Sequence, residues 1–308
     1  MNLLVTGGAG FIGSHTVDAL LERGDRVAVV DNLCTGSRAN LNPAATFYEM
    51  DIQSPDIATV IQEEKITHIM HCAAQIDVRK SVEDPVYDAR VNILGSINLL
   101  QLGQQHGVKK FVLSSTGGAI YGEQDCFPAD EKHPLRPISP YGICKLTIEN
   151  YLFYFQHEFG LDYFIVRYAN VYGPRQNSKG EAGVVAIFCD RLLEGGEPVI
   201  NGDGTQTRDY VYVGDVVRAN LMALDSESPD IVNIGTGVET DVNQIFTLIR
   251  DALAIDAAEK HGPGMPGEQQ RSVIDNSKAA SLLGWRPQVM LTEGIKRTAA
   301  YFRQQHQG

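Results

Sequence analysis

No stretch of the 308-residue chain approaches the ~18 consecutive apolar residues that cross a bilayer, so no helical span is expected. No basic block occurs either. Lys and Arg total 26 against 38 Asp and Glu, a net charge of −12, which argues against nucleic acid or an anionic membrane as the main partner. An anionic ligand must then be held by local devices such as helix N-termini and single arginines. The five cysteines (Cys34, Cys72, Cys126, Cys144 and Cys189) include no CxxC pair, so neither a metal site nor a disulfide framework is expected. The opening apolar run breaks at Gly7, too early for a secretory h-region. These absences together point to a reducing, cytoplasmic setting.

What is present reads as a globular α/β protein. Hydrophobic residues are 43%, charged residues 21%, and the 30 glycines exceed the usual ~7% share, which implies many turns or close backbone approaches. Strand-like runs at Leu3–Thr6, Arg26–Val30, Thr46–Met50, His68–Cys72, Phe111–Ser114 and Tyr163–Tyr168 alternate with helical patterns. The helical stretches are Ile12–Arg23, Ile57–Glu64, Tyr87–His106 and Pro140–Phe159. Such alternation predicts a Rossmann-type doubly wound parallel sheet. After Gly173 the texture becomes glycine-rich and loopy, so residues 1–170 are read as the nucleotide-binding domain and 171–308 as a smaller α/β substrate lobe. Segments near 208–236, with strand-like runs at Tyr210–Val213 and Ile231–Ile234, are expected to return to the first domain.

Gly7-Gly8-Ala9-Gly10-Phe11-Ile12-Gly13 sits between the first strand and the first helix. Glycines at 7, 10 and 13 permit a sharp turn, close approach to a pyrophosphate, and tight helix–strand packing. Asp31 follows 18 residues after Gly13, at the end of the second strand beside Asn32. A carboxylate there accepts the adenosine ribose hydroxyls and repels a 2′-phosphate, which favours NAD over NADP. Asp51-Ile52 and Ala73-Ala74 end the third and fourth strands at the same sheet edge, where they would meet the adenine and the cofactor backbone.

Tyr141 and Lys145 lie four residues apart on one face of a helix that Ser139 caps, Pro140 opens and Gly160 ends. Tyrosine titrates near ~10, so a tyrosine base needs positive charge close by. The helix N-terminus, Lys145 and an oxidised nicotinamide are the expected sources. Upstream, Leu113-Ser-Ser-Thr-Gly-Gly-Ala-Ile-Tyr-Gly122 ends the fifth strand and aims hydroxyls at the same place. The second half of the Tyr141 helix, Tyr151 to Phe155, is apolar nearly all round. It requires cover on two sides, from the second lobe or from a second copy of the chain.

The glycine fingerprint, Asp31, the Ser-Ser-Thr strand end, Tyr141-x-x-x-Lys145, Arg167-Tyr-Ala-Asn-Val-Tyr-Gly-Pro-Arg175 and Arg208-Asp-Tyr-Val-Tyr-Val213 together resemble an extended short-chain dehydrogenase/reductase. Within that group the chain is similar to the nucleotide-sugar epimerases, over nearly its whole length. The resemblance implies a tightly held NAD, a UDP-hexose substrate epimerised at C4 and a homodimer. It further implies that Tyr141 is the base, that Lys145 grips the nicotinamide ribose, and that Thr116 holds the sugar O4. Asn92, Ser114 and Tyr168 fall among the cofactor contacts. Asn170 and Arg208 fall on the diphosphate, and Ser272 faces the C2 substituent, where a small residue admits N-acetylated sugars.

Three departures matter. An extra residue after Thr116 leaves Ser115 and Thr116 both eligible as the catalytic hydroxyl. Gly117-Gly118 replace the Asp-Glu pair of the related dehydratases, which removes the acid and base for expelling a 6-hydroxyl. Met265-Pro266-Gly267 stands for the usual Arg-Pro-Gly, so Arg271 is the expected replacement for the lost phosphate contact. The other readings are an epimerase of a different nucleotide sugar, such as the uronate, and a non-catalytic NAD-binding regulator. An intact Thr116, Tyr141 and Lys145 speaks against the regulator.

Overall fold

A computed structural model describes residues 1–179, 183–264 and 269–307. The chain begins with β1 (Asn2–Thr6), α1 (Phe11–Glu22), β2 (Arg26–Asp31), β3 (Thr46–Glu49), α2 (Ile57–Glu63) and β4 (His68–His71). It continues through α3 (Val78–Glu83), α4 (Pro85–Ala89), α5 (Gly95–Gln105), β5 (Lys110–Thr116), α6 (Pro140–Phe159) and β6 (Asp162–Tyr168). Then come β7 (Asn170–Tyr172), α7 (Val184–Leu193), β8 (Val199–Asn201), β9 (Thr207–Tyr212), α8 (Val213–Asp225) and β10 (Asp230–Ile234). The last elements are β11 (Glu239–Asp241), α9 (Val242–Leu253), β12 (Lys260–Gly262), β13 (Arg271–Ser272), α10 (Ser277–Leu283) and α11 (Leu291–Gln307).

Seven strands form one parallel sheet in the order β10-β6-β5-β4-β1-β2-β3. Their apolar runs are buried on both faces, as a sheet sandwiched by helices demands. The order reverses between β1 and β4, and the carboxyl ends of the strands there open a crevice for a ligand. Of the 208–236 stretch, β10 joins this large sheet. β9, by contrast, is the hub of a small sheet, paired with β7, β11 and β13. That assignment follows from pairing partners far along the chain, to which a local apolar run is blind.

Two helices differ from their sequence reading. The 87–106 stretch is not one uniform helix, because a π-helical segment at 90–94 separates α4 from α5. Widened turns of this kind are frequent at functional sites. In α6 the punctuation is as expected: Ser139 Oγ accepts from Gly142 N at 3.2 Å, and Gly160 closes the end at φ 68°. The second lobe does not cover this helix. It packs on β5, β6, α3, α4 and α5, while Ile143, Phe153, Tyr154 and Phe159 stay exposed.

Candidate active site

The glycine loop leaves β1 and turns directly into α1. Gly7 has φ 71°, and a Cβ there would come within 2.6 Å of Ala73 N. A Cβ on Gly13 would stand 2.1 Å from Gly7 O, so the helix can seat against the strand only without one. The cavity above this turn is lined by Gly7, Gly10, Phe11, Ile12, Gly13, Asp31, Asn32, Asp51, Ile52, Ala73, Ala74 and Ser114. These residues were read separately from the sequence, and the switch point of the sheet gathers them along one crevice. Asp31 is buried, and its carboxylate accepts from Ala9 N at 3.0 Å and Leu33 N at 2.8 Å. Burial raises its pKa above the usual carboxylate value, and the two backbone donors oppose the shift. Each oxygen keeps a lone pair for a ribose hydroxyl. The nearby Arg38 is paired with Glu49 and lies over the Phe47 ring.

Asp51 takes Asn32 Nδ2 at 2.8 Å and Gln53 N at 2.8 Å, which pins the ends of the second and third strands together. Asn92 is placed differently from its expected cofactor contact. It is buried in the π-helical turn, accepts from Gln75 N at 2.9 Å, and donates to Gln75 O at 2.9 Å and Asp88 Oδ1 at 3.0 Å. Its neighbour Val91 lines the cavity, so Asn92 acts on the wall of the crevice by holding the Gln75 segment.

The three hydroxyls that end β5 diverge. Ser114 Oγ lies 3.1 Å from Tyr168 OH and 3.2 Å from Cys72 Sγ, and Tyr168 OH donates to Asn220 Oδ1 at 2.6 Å. Tyr168 is thus buried behind the cavity. Ser115 Oγ turns to the opposite side and donates to Glu149 Oε1 at 2.6 Å. Thr116, at the strand end, is the hydroxyl that acts electrostatically on Tyr141, and it accepts from Ala119 N at 3.2 Å. The geometry therefore separates the two eligible hydroxyls and brings Thr116 to the tyrosine.

Lys145 Nζ donates to Ser114 O at 2.8 Å and stands 6.0 Å from the centre of the Tyr141 ring. Burial lowers its pKa to about 8. Tyr141 departs from the expected depression. Burial pushes its pKa above the ordinary phenol value, the Asp88 carboxylate adds to the rise, and the Thr116 hydroxyl opposes it. Asp88 is fully buried, and no sequence pattern singled it out.

The small sheet collects the residues expected at the substrate. Asn170 opens β7, exposed, with its Oδ1 3.4 Å from where a Gly118 Cβ would stand. Arg208 lies on β9, directly in register with Ser272 of β13, and Ser272 is buried. Arg271 differs from expectation: its guanidinium grips Glu239 at 2.5 and 2.9 Å and stacks 3.8 Å over the Phe127 ring. The Met265-Pro266-Gly267 departure lies outside the described residues.

A doubly wound sheet, a glycine-loop crevice at its switch point, and a Thr–Tyr–Lys group beside it define a dinucleotide-dependent short-chain dehydrogenase/reductase class. The comparisons with known proteins narrow this. Residues 3–235 match the NAD dependent epimerase/dehydratase family, and the chain belongs to it, with NAD as its cofactor. The chain is 44% identical to the UDP-glucose 4-epimerase of Mycolicibacterium smegmatis, over the whole of both chains. It matches the structure of a Thermotoga maritima UDP-glucose 4-epimerase with UDP-glucose at a TM-score of 0.97 and 51% identity, covering 99% of each. A UDP-N-acetylglucosamine 4-epimerase from Methanobrevibacter ruminantium, in complex with UDP-N-acetylmuramic acid, aligns at a TM-score of 0.93 and 34% identity, covering 99% of this chain and 98% of that one.

Proposed function

We propose that the protein is an NAD-dependent isomerase that inverts C4 of a UDP-hexose, with UDP-glucose and UDP-galactose as one substrate pair. The observation that carries this reading is the convergence of Thr116, at the end of β5, with Tyr141 and Lys145 at the start of α6, where Lys145 Nζ stands 6.0 Å from the centre of the Tyr141 ring. The names of the relatives support the substrate class.

The glycine loop, Asp31 and the Ala73-Ala74 edge would hold the cofactor, since a side chain on Gly7 or Gly13 would block that cradle. When bound, NAD supplies a reversible hydride acceptor and, in its oxidised form, a positive charge near the phenol. Thr116 orients the 4-hydroxyl toward Tyr141. Tyr141 takes the proton from that hydroxyl as the carbonyl forms and returns it to the same oxygen, O4, once the 4-keto sugar has turned its other face inward. Lys145 braces the site through Ser114 O and offsets charge as the phenol ionises. Asn170 and Arg208 hold the diphosphate, so the ketone can rotate without leaving. Gly117-Gly118 offer no acid or base for dehydration.

A broader substrate range is favoured by one residue. Serine at 272 leaves the volume that a tyrosine would fill, which suits an acetamido group. The test is a panel of UDP-sugars with chromatographic separation of products. UDP-glucose/galactose and UDP-GlcNAc/GalNAc should both interconvert, and Ser272→Tyr should remove activity on the N-acetylated pair alone. Failure of every UDP-hexose would overturn the function, and equal loss on both pairs would overturn the gate.

The same reading includes a homodimer. The exposed Ile143, Phe153, Tyr154 and Phe159 of α6 continue onto Val82 and Val86 of the adjoining helices, an apolar face fitted to a second copy.

A further inference from the structure

Helix α6 carries a third titratable residue in line with Tyr141 and Lys145. Glu149 lies four residues beyond Lys145 and eight beyond Tyr141, which stacks the three along one side of the helix. Its carboxylate is buried and paired in a fork with Arg167 of β6, Nε to Oε1 at 3.0 Å and Nη2 to Oε2 at 2.6 Å. Ser115 Oγ donates to the same Oε1 at 2.6 Å. On the far side, Arg167 Nη1 donates to Tyr121 OH at 3.1 Å, and that hydroxyl donates to Asn233 Oδ1 at 2.7 Å. None of these atoms is among the buried polar atoms without a partner. The set therefore ties α6 to β5, β6, β10 and the segment after Thr116.

A buried ion pair gives little net stability, because desolvating two charges offsets most of their attraction. What a forked pair plus a hydroxyl does impose is geometry, since the bonds are satisfied in only one register of strand end against helix. Ser115 immediately precedes Thr116, so anchoring the first hydroxyl to α6 sets where the second one falls. We propose that Ser115, Glu149 and Arg167 form a positioning device, in which Ser115 holds Thr116 within hydrogen-bonding reach of Tyr141. The proposal rests on the reading of Thr116 and Tyr141 as the proton-handling pair.

A loosened Thr116 has a specific electrostatic consequence. The groups that face Tyr141 are Thr116 from β5, Asp88 from α4 and Lys145 from α6 itself. Among the first two, only the Thr116 hydroxyl favours the phenolate. Moving it away makes the phenol harder to ionise.

Ser115→Ala cuts the tether and leaves the ion pair intact. On UDP-glucose, kcat should fall about tenfold while KM and NAD affinity stay at their wild-type values, and Ser115→Thr should restore the rate. The acid limb of the kcat–pH profile should move to higher pH. Ultraviolet difference titration of NAD-loaded protein against its Tyr141→Phe counterpart reads the phenol without substrate, and its midpoint should rise by about half a unit or more. Unchanged kcat and midpoint overturn the device. A lowered melting temperature with wild-type kcat and midpoint also overturns it, since that is a purely structural role. If the wild type turns over no UDP-sugar, the functional reading falls and the titration alone decides the positioning role.

Discussion

Three adjacent hydroxyls end β5, and each has a different partner: Ser114 the Tyr168–Asn220 chain, Ser115 the buried Glu149, Thr116 the Tyr141 phenol. Their identity was plain from the sequence, but their division of labour was not. Strand alternation puts neighbours on opposite faces, and only the packed helices determine what each face meets. The same holds for Arg271, whose pairing with Glu239 and stacking on Phe127 no local pattern announced. At Tyr141 the environment of the chain alone disfavours ionisation, so the residue is expected to depend on a partner charge. Tyr141→Phe should lower kcat about a thousandfold or more while NAD still binds, because the change removes a proton acceptor and almost no contact area. Rapid-mixing assays beside an NAD titration check this, and near-wild-type turnover would sink the assignment of the base.

At the scale of elements, α6 and the 87–106 helical stretch do most to shape the crevice. The ends of α6 were legible because capping is local chemistry within four residues of the terminus. The π-helical turn was not, since Asn92 and Asp88 are drawn inward by bonds to each other and to Gln75, 13 residues upstream of Asp88 and 17 upstream of Asn92. The apolar second half of α6 told of two-sided cover without telling what covers it. With the sheet on one side and Phe153 and Tyr154 exposed on the other, a charge on the outer face should prevent self-association. Phe153→Asp should shift the protein from dimer to monomer in sedimentation equilibrium, weakening association by a hundredfold or more in Kd, about 3 kcal/mol. A wild type that is already monomeric at micromolar concentration would refute the interface.

Across the whole molecule, the large sheet supplies the cofactor crevice and the small sheet brings Arg208 and Ser272 into register with each other. Cofactor binding should therefore stabilise the entire fold by mass action. At a hundredfold excess over Kd, NAD should add about 2.7 kcal/mol, visible as a rise of several degrees in melting temperature. NADP should give a smaller rise, because Asp31 is buried with its two oxygens at the ribose end of the crevice and repels a 2′-phosphate. Asp31→Ala should narrow that difference in calorimetry, and a larger shift with NADP in the wild type would contradict the role of the carboxylate. The alternation of strands and helices, the glycine loop and the capped Tyr–Lys helix were determined by the sequence itself. Each depends on backbone freedom, periodicity or capping within a few residues. The tertiary structure alone decided that β9 leaves the large sheet, that Thr116 and not Ser115 meets Tyr141, and that Glu149 and Arg167 lock together behind them. Those outcomes depend on which distant side chains share a buried space, where every polar group must find a partner, and no local pattern encodes that choice.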